Sequence, residues 1–320
     1  MLSQFKEHYE LHLKDDLELL EQERLTIKRK VLRRLYFLLI VLVLLIAFIA
    51  VSDKDMPVHE ALLIILCIYF LSIPVLVFYR FYKTYYPFKR TFSEQIVSKL
   101  LGMLSPDATH LYDDGISYSD IKQSKIFHFR SKSGYQVVSS DLIKGRNQGA
   151  PFKFALVEIR TGESTMFNGA FLIIETERVL QGETIIREEN NTFYSNTPFT
   201  SMLNRLFNFD AIEIQFDHKE FEAAYSVFTT NETEARSIVT PELMDWLVEF
   251  ANTIRRRIVL SFVGNTIHVA LHYKERELRL EPKLLGPPLG KETVVGIVEY
   301  LATFFSIIQR LHSLATQTPA

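Results

Sequence analysis

Hydrophobic and polar positions follow three successive rhythms along this chain. Phe5, Tyr9, Leu13, Leu17, Leu20, Ile27 and Val31 recur three, four or seven apart with no Gly or Pro between them, which predicts one amphipathic helix over residues 3–34. Polarity then disappears. Leu35–Val51 runs seventeen residues without a charge, and Ala61–Phe78 runs eighteen. At about 1.5 Å per residue each spans roughly 26 Å, near the lower limit for a bilayer core of about 30 Å. Neither keeps the polar stripe of a soluble core helix, so the pair is expected to be a transmembrane hairpin within 35–80. Its parts are a first span over 35–51, an outside loop over 52–60 and a second span over 61–79. Pro74 predicts a mild kink in the second span.

Beyond the hairpin the pattern mixes. Pro87 predicts a break, followed by a short helix over Ser93–Met103 with Ile96, Leu100 and Met103 on one side. Ser119 is placed as the cap of a helix over Asp120–Ile126. Strands are expected over Phe152–Ile159, Ala170–Ile174, Thr184–Arg187 and Ala211–Phe216, after a turn at Gly145–Pro151. A second block begins near Glu222. It has a strand over Ala223–Thr229, and Asn231 with Glu234 in capping-box spacing. A helix starts at Thr240-Pro241-Glu242 and runs to Ile254. Strands Arg257–Val263 and Ile267–Tyr273 flank a Gly264-Asn265 turn, and a closing helix covers Thr293–Leu311. The expected class is α+β: an N-terminal helix, a membrane hairpin, then a mixed domain over 91–320 with antiparallel sheet and a C-terminal helix. Subdomains near 91–217 and 218–320 are a further expectation.

Charge gives the hairpin a direction. Lys28, Arg29, Lys30, Arg33 and Arg34 precede the first span, and Arg80, Lys83, Lys89 and Arg90 follow the second; the loop between carries Asp53, Asp55 and Glu60 against Lys54. Basic flanks stay inside, so both termini are expected in the cytoplasm. The 3–34 helix leads with acids and ends with bases, as its dipole favours. It either pairs with a second copy or folds back onto the cytosolic domain.

Over the whole chain 36 Lys+Arg nearly balance 38 Asp+Glu, which excludes the basic surplus of a nucleic-acid binder. One cysteine, Cys67, leaves no internal disulfide and no Cys-based zinc site. No phosphate loop, dinucleotide fingerprint, nucleophile elbow or zinc-protease motif is present, so no catalytic residue, cofactor or metal is expected. His268 and His272 would share a strand face about 13 Å apart, too far for one ion, and read as a solvent-facing pair. Asp113-Asp114-Gly115 reads as a turn and Asp217-His218 as strand-end polarity. Asn190-Asn191-Thr192 and Asn231-Glu232-Thr233 fit the glycosylation pattern but fall on the cytosolic side. Arg255, Arg256 and Arg257 close a helix whose dipole favours them. Lys89, Arg90, Arg255 and Arg256 are the expected contacts for anionic lipid.

Three groups of residues carry a resemblance. They are Asp141-Leu142-Ile143-Lys144-Gly145 with Gly149-Ala150-Pro151-Phe152-Lys153-Phe154; Phe167-Asn168-Gly169-Ala170-Phe171; and Tyr225 to Asn231 with Glu234-Ala235-Arg236 and Thr240 to Met244. Together they resemble a bacterial family of unknown function, DUF3137. The resemblance implies a bacterial inner-membrane, multi-pass protein and supplies no activity. Arg236, between a strand and a longer helix, is expected to be a buried clamp or interaction residue. The expected function is a membrane-anchored interaction module (scaffold, adaptor or sensor), with the bilayer and a protein partner or self-association through residues 3–34 as partners. An enzyme with dispersed catalytic residues, or an anionic-lipid-binding envelope-maintenance protein, are the alternatives.

Overall fold

A computed structural model describes residues 9–51, 57–127, 129, 134–188, 211–254, 258–273 and 280–316. They form two compact units. The first takes the described residues up to Lys99 with Glu281–Gly296; the second takes Leu100–Leu280 and the chain from Ile297.

In the first unit a π-helical turn at Tyr9–Leu13 leads into helix α1, Lys14–Val51. The expected stripe is real: Leu13, Leu17, Leu20 and Ile27 are all buried. Helix α2, Pro57–Phe92, packs against α1, and the Tyr69 hydroxyl donates to the Leu38 carbonyl. The break expected at Pro87 does not occur, because α2 continues through it to Phe92. Pro87 itself is exposed, while Tyr85, Phe88 and Phe92 around it are buried. Their packing outweighs the roughly 3 kcal/mol that an interior proline costs. A π-helical turn at Ser93–Val97 and helix α3, Ser98–Leu104, follow.

The second unit is built on an antiparallel sheet. Its strands are β1 Thr109–Leu111, β2 Tyr135–Asn147, β3 Ala150–Thr161, β4 Ser164–Glu175, β5 Glu183–Glu188, β6 Ile212–Ile214, β7 Tyr225–Thr229, β8 Ile258–Val263 and β9 Thr266–His272. Among the described residues the order is β1-β2-β3-β4-β9-β8-β5-β7-β6. Strand β5 sits between β8 and β7, so one sheet draws strands from both sides of residue 217. Short helices α4 Tyr118–Gln123, α5 Lys219–Glu222 and α6 Glu232–Ile238 and the longer α7 Pro241–Ile254 decorate it. The cap of α4 is Ser117, not Ser119. Strand β2 escaped the sequence reading, which saw only a turn there. The turn is two residues, Gln148 and Gly149, both with positive φ, as a tight hairpin of matching twist requires.

Strand β3 is buried on both faces. Ala155, Val157 and Ile159 join Phe127, Phe167 and Phe171 in one core layer. Phe152 and Phe154 point the other way, where their rings lie 5.7 and 4.3 Å from Phe305 and Phe304. Those two belong to the closing helix α8, Lys291–Thr316. Two helices among the described residues are long and apolar enough to cross a membrane, Tyr9–Val51 and Lys291–Leu314. They differ in burial: no residue of the apolar window is buried in the first, against 44% of the window in the second. Phe304, Ile307, Ile308 and Leu311 of α8 are at most 3% exposed, which makes it a core helix.

Candidate functional site

Two polar constellations stand out because each places charge where solvent does not reach. The first lies within the first unit. Arg24 follows Leu20 by one helical turn and precedes Ile27, so it occupies a position of the buried stripe and is 2% exposed. Its Nε and Nη2 donate to the two Glu21 oxygens at 2.8 and 2.7 Å, a bidentate pair. Its Nη1 donates to the carbonyls of Leu284 (2.8 Å), Gly286 (3.2 Å) and Lys283 (3.3 Å). Glu21 also accepts the Leu289 N–H at 2.9 Å. The Tyr85 hydroxyl donates to the Pro282 carbonyl, and Lys89 pairs with Glu281. The Arg24 guanidinium holds the Glu21 carboxyl below the usual carboxylate range, against the opposing effect of burial. These bonds tie α1 and α2 to residues 281–289 and leave Arg24 little capacity for a ligand.

The second constellation sits at a bulge of β2. Pairing with β3 slips between Ser140 and Ile143, and Asp141 takes φ +57°, a left-handed backbone that Asp tolerates better than most residues. Its N–H donates to the Tyr112 carbonyl at 3.2 Å, and Leu142 N–H to the Asp114 carbonyl at 3.1 Å. The bulge turns the Asp141 carboxylate toward His110 of β1, whose Nε2 lies 3.2 Å from Oδ1. The Ser140 hydroxyl donates to Oδ2 at 3.3 Å. The His110 side chain is wholly covered and Asp141 is 6% exposed. His110 Nδ1 and the Tyr300 hydroxyl are buried without a partner among the described residues. Burial, with the charges of Tyr273 and Asp141 nearby, raises the Tyr300 phenol. A carboxylate, an imidazole and a phenol with unused hydrogen-bonding capacity are the ingredients of proton transfer. In the sequence His110 and Tyr300 carry no local signal, and Asp141 enters only within a resemblance group, without a role.

The residues expected from the sequence meet different outcomes. Arg236 is exposed, not buried; it pairs with Glu232 at 2.8 Å, donates to the Gln215 carbonyl at 3.2 Å and lies 5.3 Å from the Phe216 ring centre. An exposed pair one turn apart contributes little, about 0.3–0.5 kcal/mol. Lys89 is engaged with Glu281, and Arg90 with Glu94 at 2.7 Å. Arg255 and Arg256, like Asn190-Asn191-Thr192, lie outside the described residues. His268 is 2% exposed and so does not face solvent; its strand is covered on both sides. His218 caps α5 and meets Asp245 at 2.9 Å rather than Asp217. Asn231 caps α6 as expected, accepting from Glu234 N–H at 3.2 Å. The reciprocal half of the box is not made: the Glu234 carboxylate instead accepts from Gln181 and Gly182 N–H at 3.0 and 2.7 Å, fixing the start of β5. Among the described residues no cluster of three or more His, Cys, Asp or Glu is placed to hold a metal.

Residues 165–313 match the model of DUF3137, a protein family of unknown function. The DUF3137 match takes in β4 through most of α8 and includes Phe167–Phe171 and the stretch from Tyr225 to Met244. It begins after the bulge and after the Gly149–Phe154 group. No curated protein matches the chain. Among solved structures, the crystal structure of the mycobacterial trehalose monomycolate transport factor A, TtfA, is similar at 12% identity. That likeness covers 61% of this chain and 86% of that one with a TM-score of 0.30, too low to carry fold or function across.

Proposed function

We propose that this DUF3137-matching chain is a membrane-anchored module that holds its α+β unit at the cytoplasmic face of a bacterial inner membrane as a scaffold, adaptor or sensor. One observation carries the reading: no residue of the apolar window of α1 is buried inside the protein. Tyr36, Phe37, Leu39, Ile40, Val43 and Leu44 are each 55% or more exposed. Large apolar side chains left in water forfeit about 1.5–3 kcal/mol each, and a hydrocarbon surround removes that penalty. Val75, Leu76 and Phe78 of α2 are exposed in the same way, which supports a second span antiparallel to the first. Basic flanks at 28–34 and 80–90 support a topology with both ends inside and residues 52–60 outside.

The anchor does not end at the bilayer. Within the first unit, the Arg24–Glu21 clamp ties α1 to residues 281–289. The expected outcome is a protein that resists carbonate extraction, with alkaline phosphatase inactive when fused at Ala320 and active when inserted after Asp53. Release by carbonate, or phosphatase active at Ala320 alone, overturns the reading.

The buried His110–Asp141 pair, with the Tyr300 phenol near enough to feel the Asp141 charge, favours a second reading, an enzyme. Catalytic groups are commonly held at a cost to stability, whereas a structural knot loses stability when cut. Asp141→Asn keeps the left-handed tolerance and removes the charge. A structural knot predicts a loss of about 1–3 kcal/mol from the hydrogen bonds to a charged group, read as a lower unfolding midpoint. A midpoint that rises is the result the enzyme reading requires.

A further inference from the structure

Where α1 and α2 leave their apolar stretches, they do not close against each other. A groove of about 560 Å³ opens between them, lined by Leu35, Leu76 and Val77 and rimmed by Arg33, Arg34 and Arg80. Its size falls within the roughly 300–1,000 Å³ of small-molecule sites. Its walls are almost wholly apolar carbon, and its rim is almost wholly positive. Between Glu23 and Asp53 on one helix, and between Glu60 and Glu94 on the other, the sequence contains no acid. Arg33, Arg34 and Arg80 are exposed and have no ion pair among the described residues. This sets them apart from Arg24, Lys89 and Arg90, whose charges are met by Glu21, Glu281 and Glu94.

We infer that this groove is a binding site for one anionic phospholipid of the cytoplasmic leaflet. The inference rests on the membrane-hairpin reading above and deepens it. Arg33 and Arg34 come from the last turn before the first apolar stretch, and Arg80 from the turn after the second. An antiparallel pair brings these ends to one level, the depth at which lipid phosphates lie. A phosphodiester accepts bidentate hydrogen bonds from guanidinium groups. The glycerol and first methylenes of one acyl chain fit the apolar cleft, and the rest of the chain follows the exposed faces of the helices into the hydrocarbon. A free phosphate ion would use the rim and leave the cleft empty. A neutral lipid would fill the cleft and leave three cations unmatched. A lipid with both parts satisfies both. Basic pockets between spans on the inner side are the setting in which headgroup recognition is expected.

The test uses the full-length protein in a non-ionic detergent, exchanged into phosphatidylglycerol or phosphatidylcholine of matched chains, with bound lipid counted by native mass spectrometry. One phosphatidylglycerol is expected to be retained in preference to phosphatidylcholine, and millimolar inorganic phosphate is expected not to displace it. At about fivefold per arginine near a headgroup, R33Q/R34Q/R80Q should weaken retention on the order of 100-fold. R90Q, which breaks a surface pair, should leave retention unchanged. Val77→Trp, which fills the cleft but keeps the charges, should also lower it. Equal retention of both lipids, an unchanged triple glutamine variant, or displacement by phosphate alone overturns the inference. Carbonate extraction of the membranes from which the protein is purified separates the two failures. A carbonate-resistant protein without lipid preference removes only the lipid site, whereas a carbonate-soluble protein removes the anchor reading beneath it.

Discussion

Replacing Arg24 by Met is expected to destabilise the first unit by about 3–5 kcal/mol, the usual consequence of leaving one member of a buried ion pair alone. In thermal unfolding of the detergent-solubilised protein this is a fall of roughly 6 °C or more in the midpoint of that unit. The magnitude follows from what is stranded. Glu21 keeps the Leu289 N–H but loses both guanidinium bonds, and the carbonyls of Lys283, Leu284 and Gly286 lose their shared donor. Protease cutting within 283–290 should rise with it. Changing both partners, Glu21→Leu with Arg24→Met, should cost less than the two single changes added, since no lone charge is then buried. The same pair sets an acid limb. Because Glu21 is held below its ordinary value, its contribution is complete above the unfolded carboxyl's range and drains away as pH falls below about 4. A midpoint that Arg24→Met leaves unmoved would mean that residues 281–289 are held by apolar packing alone.

Arg24 also shows how far the sequence could be read. The buried positions of α1 step by three, four and seven, and the interval of seven between Leu20 and Ile27 hides a position where the stripe asks for an apolar residue and finds arginine. That gap was the available signal. A long-range partner among backbone carbonyls 259 or more positions away leaves no mark in local spacing. The hairpin at Gly264, the cap at Asn231 and helix α7 were legible because each rests on neighbours within a few residues. Strand β2 was not, since the bulge at Asp141 shifts the alternation by one and a strand searched for at period two breaks there. The His110–Asp141 pair depends on that bulge and on the β1 pairing, both non-local. Pro87 misled for the opposite reason: a strong local rule gave way to the burial of Tyr85, Phe88 and Phe92. The Gly169 of the family-like Phe167–Phe171 group has a reason only the folded sheet supplies. A Cβ there would lie 2.0 Å from the Leu271 carbonyl oxygen on the next strand.

Acidification from pH 7 to pH 4 is expected to remove about 3 kcal/mol from the second unit through a single side chain, His268. Burial holds this imidazole down at about 4. It lies on β9 with its ring centre 6.1 Å from that of Phe171, and its Nδ1 has no partner among the described residues. The Asp120 charge pulls the other way without prevailing. An unfolded histidine takes its proton near 6.5, so between 6.5 and 4 the unfolded chain binds a proton that the folded chain refuses. Stability is therefore whole above that window and declines throughout it. His218, held charged by Asp245, titrates with the opposite sign but at the surface, where solvent weakens the pairing. Glu21 acts only below the window. His268→Phe keeps the ring against Phe171 and abolishes the titration, so its unfolding midpoint should stay level between pH 6.5 and 4 while the parent falls. Parallel pH profiles for the two proteins would show that the acid sensitivity of the sheet lies elsewhere. A level profile in the variant would show that the sheet, in folding, keeps an imidazole neutral.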